Sequence, residues 1–194
     1  MQYEDRIICY LDILGFSDHI RHTVNGDGSD NETNIAAVAE TFEIVRQIIN
    51  VDKPEDNGRA EITQFSDCIV ISFPVEETSG LWYYLHDLMM IQVALVRNEM
   101  LCRGAVVRGK LFHTSKILFG PAMNDVYILE SRVANYPRVI LEESIINTGA
   151  LAHAKHHGEE FERESILKLL SRDGDGLYYI DYLTKVPYQS SKRI

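Results

Sequence analysis

An aspartate inside an apolar segment is the feature that most constrains this chain. The segment RIICYLDILGF, residues 6–16, has the composition of a central strand, and Asp12 lies near its end, three residues before Gly15. Burying a lone carboxylate is costly, so an aspartate at such a position needs a backbone cap, an arginine or a metal ion as its partner. The rest of the sequence has to indicate which partner it is.

Strand-like and helix-like segments follow one another in the order β-α-β-β-α-β, with a further helix and strand after them. RAEITQF and DCIVISF are predicted to form a hairpin because too little chain separates them for any other connection. This order predicts an α+β fold, a ferredoxin-like antiparallel sheet with helices on one face and a C-terminal α/β addition. Residues 1–149 are assigned to the main domain and residues 150–194 to an extension packed on it. The predicted elements are strand 6–14, helix 35–49, strands 59–65 and 67–73, helix 78–100, strand 103–109 with a hairpin extension 110–119, helix 120–134 and strand 137–141.

A second carboxylate, Asp67, lies at the tip of the predicted hairpin. In one antiparallel sheet, a strand end and a neighbouring hairpin tip can lie within reach of each other. Two carboxylates at so short a distance repel each other, and one of them stays protonated unless a cation lies between them. The pair Asp12 and Asp67 therefore favours Mg²⁺ or Mn²⁺ bound together with substrate phosphates. For either residue alone, a turn or loop-capping role is the simpler interpretation.

Two further features are suited to binding phosphate. Arg103, in LCRGAVVRG, begins a strand directly after the longest predicted helix and can direct a planar guanidinium at phosphate oxygens. A surface ion pair is the alternative for this arginine. The backbone N–H groups of Leu14, Gly15 and Phe16, leading into a helix, can cradle phosphates. Because these residues follow Asp12, the metal and phosphate sites are expected to be continuous.

The composition excludes several classes of partner. The formal net charge is −10 and there is no block rich in lysine and arginine, which argues against electrostatic binding of nucleic acid or of an anionic membrane. Cys9, Cys68 and Cys102 lie in apolar segments without a CxxC pair, as is typical of buried thiols in a reducing compartment. With no signal peptide and no apolar segment long enough to span a bilayer, we expect a cytoplasmic protein.

Four segments, in order, resemble the motifs of class III nucleotide cyclases. YLDILGF resembles F-x-D-I-x-G-F, and TQFSDCIVIS resembles the K-x-x-G-D hairpin. RGAVVRG is similar to the R-x-G-I-x-x-G strand, and FGPAMNDVYILES to the G-x-x-V-N-x-A-x-R-L-E-S helix. Together with YPRVIL, they resemble most closely the short stand-alone pyrimidine cyclases of bacterial Pycsar anti-phage defence. Those enzymes make cyclic UMP or cyclic CMP, which activates a separate effector protein.

The resemblance implies that residues 1–149 form a nucleotide cyclase domain that works as a homodimer with shared active sites. It implies two divalent cations, Mn²⁺ or Mg²⁺, held by Asp12, Ile13 and Asp67, and a triphosphate held by Arg103 and residues 14–16. Together with Asn124, which matches the asparagine of the helix motif, Asp12, Asp67 and Arg103 form the implied catalytic set. The implied reaction converts UTP or CTP to the 3′,5′-cyclic monophosphate and pyrophosphate.

The chain departs from the purine cyclases where they contact the base. Thr63 stands at the place of their base-contacting lysine, and Ile117 at the place of their second base contact. The resemblance therefore implies a different base, contacted at these two positions. Tyr127 and Glu130 share one helical face and are further candidates for contacting the base or orienting groups, with an ordinary helix surface as the equal alternative.

The same helix raises a second hypothesis. Ile128 replaces the arginine that stabilises the transition state in the purine enzymes, and Arg132, one turn on, is a candidate replacement. Loss of that arginine also fits a cyclase-like module that binds a nucleotide without turning it over, and a purine cyclase is a further alternative. The histidines of HAKHHG are interpreted as a solvated helix rather than a zinc site. DGDG, residues 173–176, is interpreted as a turn because it lacks the closing glutamate of a calcium loop.

Overall fold

The computed structural model describes residues 2–49 and 60–186. The predicted loop 51–58 and the basic tail SSKRI lie outside these residues. Within the described ranges the chain forms eight strands and six helices. The strands are β1 (Glu4–Leu14), β2 (Glu61–Phe65), β3 (Cys68–Pro74), β4 (Leu101–His113), β5 (Leu118–Phe119), β6 (Val139–Leu141), β7 (Leu170–Arg172) and β8 (Tyr178–Ile180). The helices are α1 (Phe16–Arg21), α2 (Glu32–Ile48), α3 (Gly80–Arg97), α4 (Pro121–Val133), α5 (Glu143–Leu151) and α6 (Glu159–Leu167).

The described strands form one sheet in the order β2-β3-β1-β4-β6-β8-β7, with β5 paired to β4 off this path. Strands β1 to β4 pair antiparallel in the ferredoxin-like order, and β6 joins β4 in parallel. The predicted α+β class is confirmed. Since both β3 and β4 flank β1, residues near the end of β1 have neighbours on two sides.

The alternating directions of the side chains along β1 divide the core into two layers. Ile7, Leu11 and Ile13 pack in the larger cluster, with the buried face of α3, whereas Ile8 and Tyr10 pack in a smaller cluster on the other face. Successive strand side chains point to opposite faces, so this division follows from the period of two. The predicted core leucines of α3 are all buried: Leu81, Leu85, Leu88 and Leu95.

The placement of α4 differs from the expected arrangement with helices on one face. Ala122 and Val126 of α4 are fully buried in the smaller cluster, on the face of the sheet opposite α3. The amphipathic pattern of α4 shows that one side is buried but does not indicate against which face of the sheet. We call the sheet face covered by α4 the α4 face; Asp12 lies on it because it is two residues from Tyr10.

The C-terminal segment continues the same sheet. Helix α5 spans the predicted boundary at residue 149, and β8 pairs with β6. DGDG forms the β7–β8 turn, as predicted, and two of its carboxylates bind Arg138 at 2.5 Å. The predicted histidine-bearing helix is wrong, because residues 153–158 form a turn in which His157 contacts Glu162 at 2.7 Å. Among the described residues, no helix is long and apolar enough to cross a membrane.

Candidate active site

Strand register places two predicted site residues and a cysteine in one row across the sheet. Asp12 of β1 pairs directly with Cys68 of β3 on one side and with Arg103 of β4 on the other. Directly opposed residues of antiparallel strands have their Cβ atoms about 4.5–5.5 Å apart. All three side chains therefore project from the α4 face within reach of one another.

The β2–β3 hairpin brings the second carboxylate to this row. Ser66 and Asp67 form the two-residue turn, with Ser66 at a left-handed φ of 55°. The N–H of Ile13 donates to the backbone oxygen of Asp67 at 3.0 Å and so fixes the turn to the end of β1. One ligand atom each of Asp12, Asp67 and Cys68 lies within 4.8 Å of the others.

The donor set fits a divalent cation. Burial raises the pKa of Asp12, and Asp67 raises it further, while Arg103 opposes the rise. A cation between the two carboxylates would remove the repulsion that contributes to this rise. The side chain of Ile13 has no ligand atom, so only its backbone carbonyl could serve as the predicted ligand.

Arg103 contacts two carboxylates of its own chain. Its Nε lies 3.4 Å from Asp12 Oδ2 and 2.5 Å from Glu130 Oε1, and the Glu130 side chain is only 3% exposed. Burial raises the pKa of Glu130, an effect that Arg103 opposes. Although these two atoms are close enough for an ion pair, neither the Arg103 Nε nor this Glu130 oxygen makes a hydrogen bond of good geometry among the described residues. Glu130, a candidate for contacting the base or for orienting groups, contacts Arg103 in this structure.

Two aromatic residues complete this end of the α4 face. The Tyr10 hydroxyl lies 2.7 Å from Cys68 Sγ, and the Tyr10 ring meets that of Tyr127 edge-on at 5.8 Å. Tyr127 borders the site through this contact with Tyr10, and because its side chain is 52% exposed it also faces solvent. Neither Tyr10 nor Cys68 was among the predicted site residues. Their signals were present, because Tyr10 is two residues from Asp12 on one strand and Cys68 follows Asp67.

The predicted phosphate segment lies directly after Asp12 and Ile13, two of the predicted metal ligands. Gly15, with a φ of 74°, lies between β1 and the six-residue helix α1 and is the N-cap residue of α1. Phe16 anchors this turn, since it is buried and its ring contacts that of Phe42 at 5.7 Å. Leu14 still pairs with Leu101 in the β-ladder. The turn is thus held rigidly beside Asp12.

The remaining predicted residues lie away from the carboxylates. Thr63 Oγ1 contacts His113 Nε2 at 2.9 Å on the α4 face of β2. Ile117 is 48% exposed in the β4–β5 turn. Asn124 is exposed in the first turn of α4, where it borders a cavity with Tyr3. One chain therefore brings together Asp12, Asp67, Arg103 and Glu130, but it does not bring Ile117 or Asn124 to them.

No protein-family model and no curated protein matches the sequence. Solved structures do match across nearly the whole chain. The adenylyl cyclase CyaB from P. aeruginosa is 12% identical, with 96% of this chain and 98% of that chain covered and a TM-score of 0.61. A bacterial light-regulated adenylyl cyclase is 16% identical, with coverage of 94% and 92% and a TM-score of 0.57. The guanylate cyclase domain of RhGC from Catenaria anguillulae, in complex with GTP, is 11% identical, with coverage of 93% and 98% and a TM-score of 0.58. At these identities the likeness is one of fold, and the chain has the class III cyclase fold that its motifs predicted.

Proposed function

We propose that the chain is a cytoplasmic nucleotide cyclase that converts a pyrimidine ribonucleoside triphosphate, UTP or CTP, to the 3′,5′-cyclic monophosphate and pyrophosphate. The observation that carries the proposal is the convergence of Asp12, Asp67 and Arg103 at one end of β1, in a fold shared with adenylyl and guanylyl cyclases. The proposed role of the product, a messenger that activates a separate effector in anti-phage defence, rests on the motif resemblance alone.

Asp12 and Asp67, with the carbonyl of Ile13, would hold two divalent cations, Mn²⁺ or Mg²⁺. When bound, such cations acidify the ribose 3′-hydroxyl and neutralise charge on the transferred phosphate and the pyrophosphate. In the reaction, the 3′-oxygen gives its proton to solvent water and bonds to the α-phosphorus. The bond from the α-phosphorus to the bridging oxygen breaks, and that oxygen leaves as part of pyrophosphate. The chain supplies positioning and charge, and no histidine is required.

Arg103 would bind the phosphates. Its guanidinium lies between Asp12 and Glu130, and the buried Glu130 carboxylate restricts where it can point. A guanidinium held this way stabilises charge that develops on the phosphate oxygens without reorganising during the reaction. Gly15 and its neighbours would bind the outer phosphates through their backbone N–H groups.

The faces of α4 support a homodimer with shared sites. Glu130 points to Arg103 of its own chain, whereas Asn124 and Ile128, four residues apart, share an exposed face of α4. We infer that Asn124, on that exposed face, would act on the Asp12 of a partner chain rather than on that of its own chain. A two-fold dimer would supply both halves of each site.

The residues at the base positions favour a pyrimidine. Thr63 offers a short hydroxyl side chain where the purine cyclases have a long cationic one. Ile117, which is exposed, offers an apolar side chain where they have a second polar contact. Neither residue reproduces the purine contacts.

Two other functions have specific support. The solved relatives are adenylyl and guanylyl cyclases, which supports a purine substrate. Ile128, in the place of the transition-state arginine, supports a module that binds a nucleotide without turnover. Against this second alternative, a binding module has little use for both Asp12 and Asp67.

The decisive experiment incubates the purified protein with ATP, GTP, CTP or UTP, each with Mn²⁺ or Mg²⁺, and quantifies cyclic product by mass spectrometry. We expect cyclic UMP or cyclic CMP to dominate. Asp67→Asn should abolish turnover, whereas Asp30→Asn, an exposed carboxylate in the α1–α2 loop, should not. Preferred conversion of ATP or GTP would replace the pyrimidine assignment with the purine one. Binding without any product would support the binding module.

A further inference from the structure

A buried chain of hydrogen bonds ends at Thr63. Arg6 Nε donates to Ser72 Oγ at 2.9 Å, Ser72 Oγ lies 2.8 Å from His113 Nδ1, and His113 Nε2 lies 2.9 Å from Thr63 Oγ1. Ser72 is 0% exposed, Arg6 3% and His113 6%. The four residues lie on β1, β3, β4 and β2, all on the α4 face of the sheet. We call these four residues the Thr63 relay.

The direction of each hydrogen bond in the relay follows from Arg6. A guanidinium only donates, so Ser72 Oγ accepts from it, and the hydroxyl proton of Ser72 needs another acceptor. His113 Nδ1 is the acceptor within reach. If Nδ1 carried a proton instead, a fully buried hydroxyl proton would be left unpaired, which proteins avoid.

The same argument fixes the polarity at the other end. Burial, with the charge of Arg6, lowers the pKa of His113 to about 4, so the ring is neutral and carries one proton. With Nδ1 accepting from Ser72, that proton lies on Nε2 and is donated to Thr63 Oγ1. Thr63 therefore accepts from within the protein, and its own hydroxyl proton is left to donate outward from a partly exposed side chain.

We propose that the Thr63 relay selects nucleoside triphosphates whose base carries a carbonyl, uracil or guanine, over the amino counterparts, cytosine or adenine. The inference rests on the proposed cyclase function and makes His113 a positioning residue that acts through Thr63. Among the pyrimidines, uracil has a carbonyl at C4 where cytosine has an amino group. A carbonyl accepts the outward hydroxyl proton of Thr63. An amino group can only donate to the remaining lone pair of that oxygen, and the hydroxyl proton then has no acceptor at this position of the base.

The kinetic test compares kcat/KM for UTP against CTP, and for GTP against ATP, in wild type, Thr63→Val and Thr63→Ser. Valine keeps the shape of threonine and removes the donor, whereas serine keeps the donor. We expect Thr63→Val to lower the carbonyl-over-amino preference by roughly three- to tenfold, the value of one hydrogen bond, and Thr63→Ser to retain it. An unchanged preference in Thr63→Val overturns the proposal.

An atomic substitution in the substrate identifies the carbonyl. Sulfur accepts hydrogen bonds weakly, so 4-thio-UTP should be used less efficiently than UTP by wild type and equally by Thr63→Val. If 2-thio-UTP shows this pattern instead, the contact is to the carbonyl that uracil and cytosine share, and the proposed selection is wrong.

A third measurement does not depend on catalysis. Nitrogen NMR of the His113 ring, assigned by comparison with His113→Gln, should show a protonated Nε2 and an unprotonated Nδ1 at neutral pH. A protonated Nδ1 overturns the relay even in an active enzyme. The expected tautomer, together with no cyclic product from any triphosphate, would instead refute the proposed function and leave the relay's direction intact.

Discussion

Acidification should destabilise this protein through His113 within a defined pH range. Burial, reinforced by the charge of Arg6, lowers its pKa from 6.5 to about 4 in the folded protein. The unfolded chain therefore binds a proton at a higher pH than the folded protein does. The stability contributed by neutral His113 is complete above pH 6.5 and falls as the pH drops towards 4.

The magnitude follows from the difference between the two pKa values. Each tenfold change in proton affinity is worth about 1.4 kcal/mol, so the free energy of unfolding should fall by about 3 kcal/mol once the pH is below about 4. By pH 5 the loss is already about 2 kcal/mol. His113 is 6% exposed, so solvent screening weakens this effect little.

The assay is urea denaturation from pH 7 to pH 4.5, monitored by fluorescence of Trp82, the single tryptophan of the sequence. Asp12 and Glu130, whose pKa values are raised by burial, change stability with the opposite sign as they protonate, so wild type alone is not informative. The comparison is with His113→Gln, which retains both carboxylates and does not titrate here. Stability curves of the two proteins that remain parallel down to pH 5 would refute the reasoning.

Three further predictions concern the site, the sheet and the assembly. Asp67→Asn should raise the stability of the metal-free protein by about 1 kcal/mol, because it removes the repulsion between Asp67 and Asp12. Ligand oxygens of these carboxylates lie within 4.8 Å of each other, and the figure is the Coulomb energy at that separation in a largely aqueous environment. A thermal melt should show no such gain in Asp30→Asn. Gly104→Ala should lower the free energy of unfolding by about 1–3 kcal/mol, because the added Cβ would lie 2.5 Å from a carbonyl oxygen of β1. Gly158→Ala is the control, since its Cβ would have no atom within 4 Å, and its urea denaturation should be nearly unchanged. Asp67→Asn and Asn124→Ala chains should each be inactive alone, and co-expression should restore about a quarter of wild-type turnover, because half of the dimers are hybrids with one intact site. No recovery despite confirmed subunit exchange would mean that each site is built within one chain.

Much of the fold could be predicted because its elements are set by local pattern. The apolar run of β1, the short connection at Ser66 and the leucine spacing of α3 each indicate one structure. The face on which α4 packs was not predictable, because its apolar stripe is satisfied by either side of the sheet. The histidine-bearing turn at 153–158 was misassigned since its spacing is compatible with a helix, while the contact of His157 with Glu162 is tertiary.

The site was predictable to the extent that its residues lie at strand ends. Asp12 and Arg103 come together because β1 and β4 pair in a register that opposes them. The contact of Glu130 with Arg103 was not predictable, because helical spacing relates it to Tyr127 but not to a strand. His113 was missed for the same reason: it lies 50 residues from Thr63, and only the course of β4 brings the two side chains together.

The two faces of α4 connect the proposed dimer to the proposed metal site. Glu130 reaches inward to Arg103, and Asn124 and Ile128 lie on an exposed face less than two helical turns away. A partner chain that docks on the outer face would contact the same helix that positions the guanidinium. Because α4 is anchored on the sheet by the fully buried Ala122 and Val126, it cannot move without repacking that cluster. The proposed dimer would therefore add groups to each site while Arg103 stays where its own chain places it, beside Asp12.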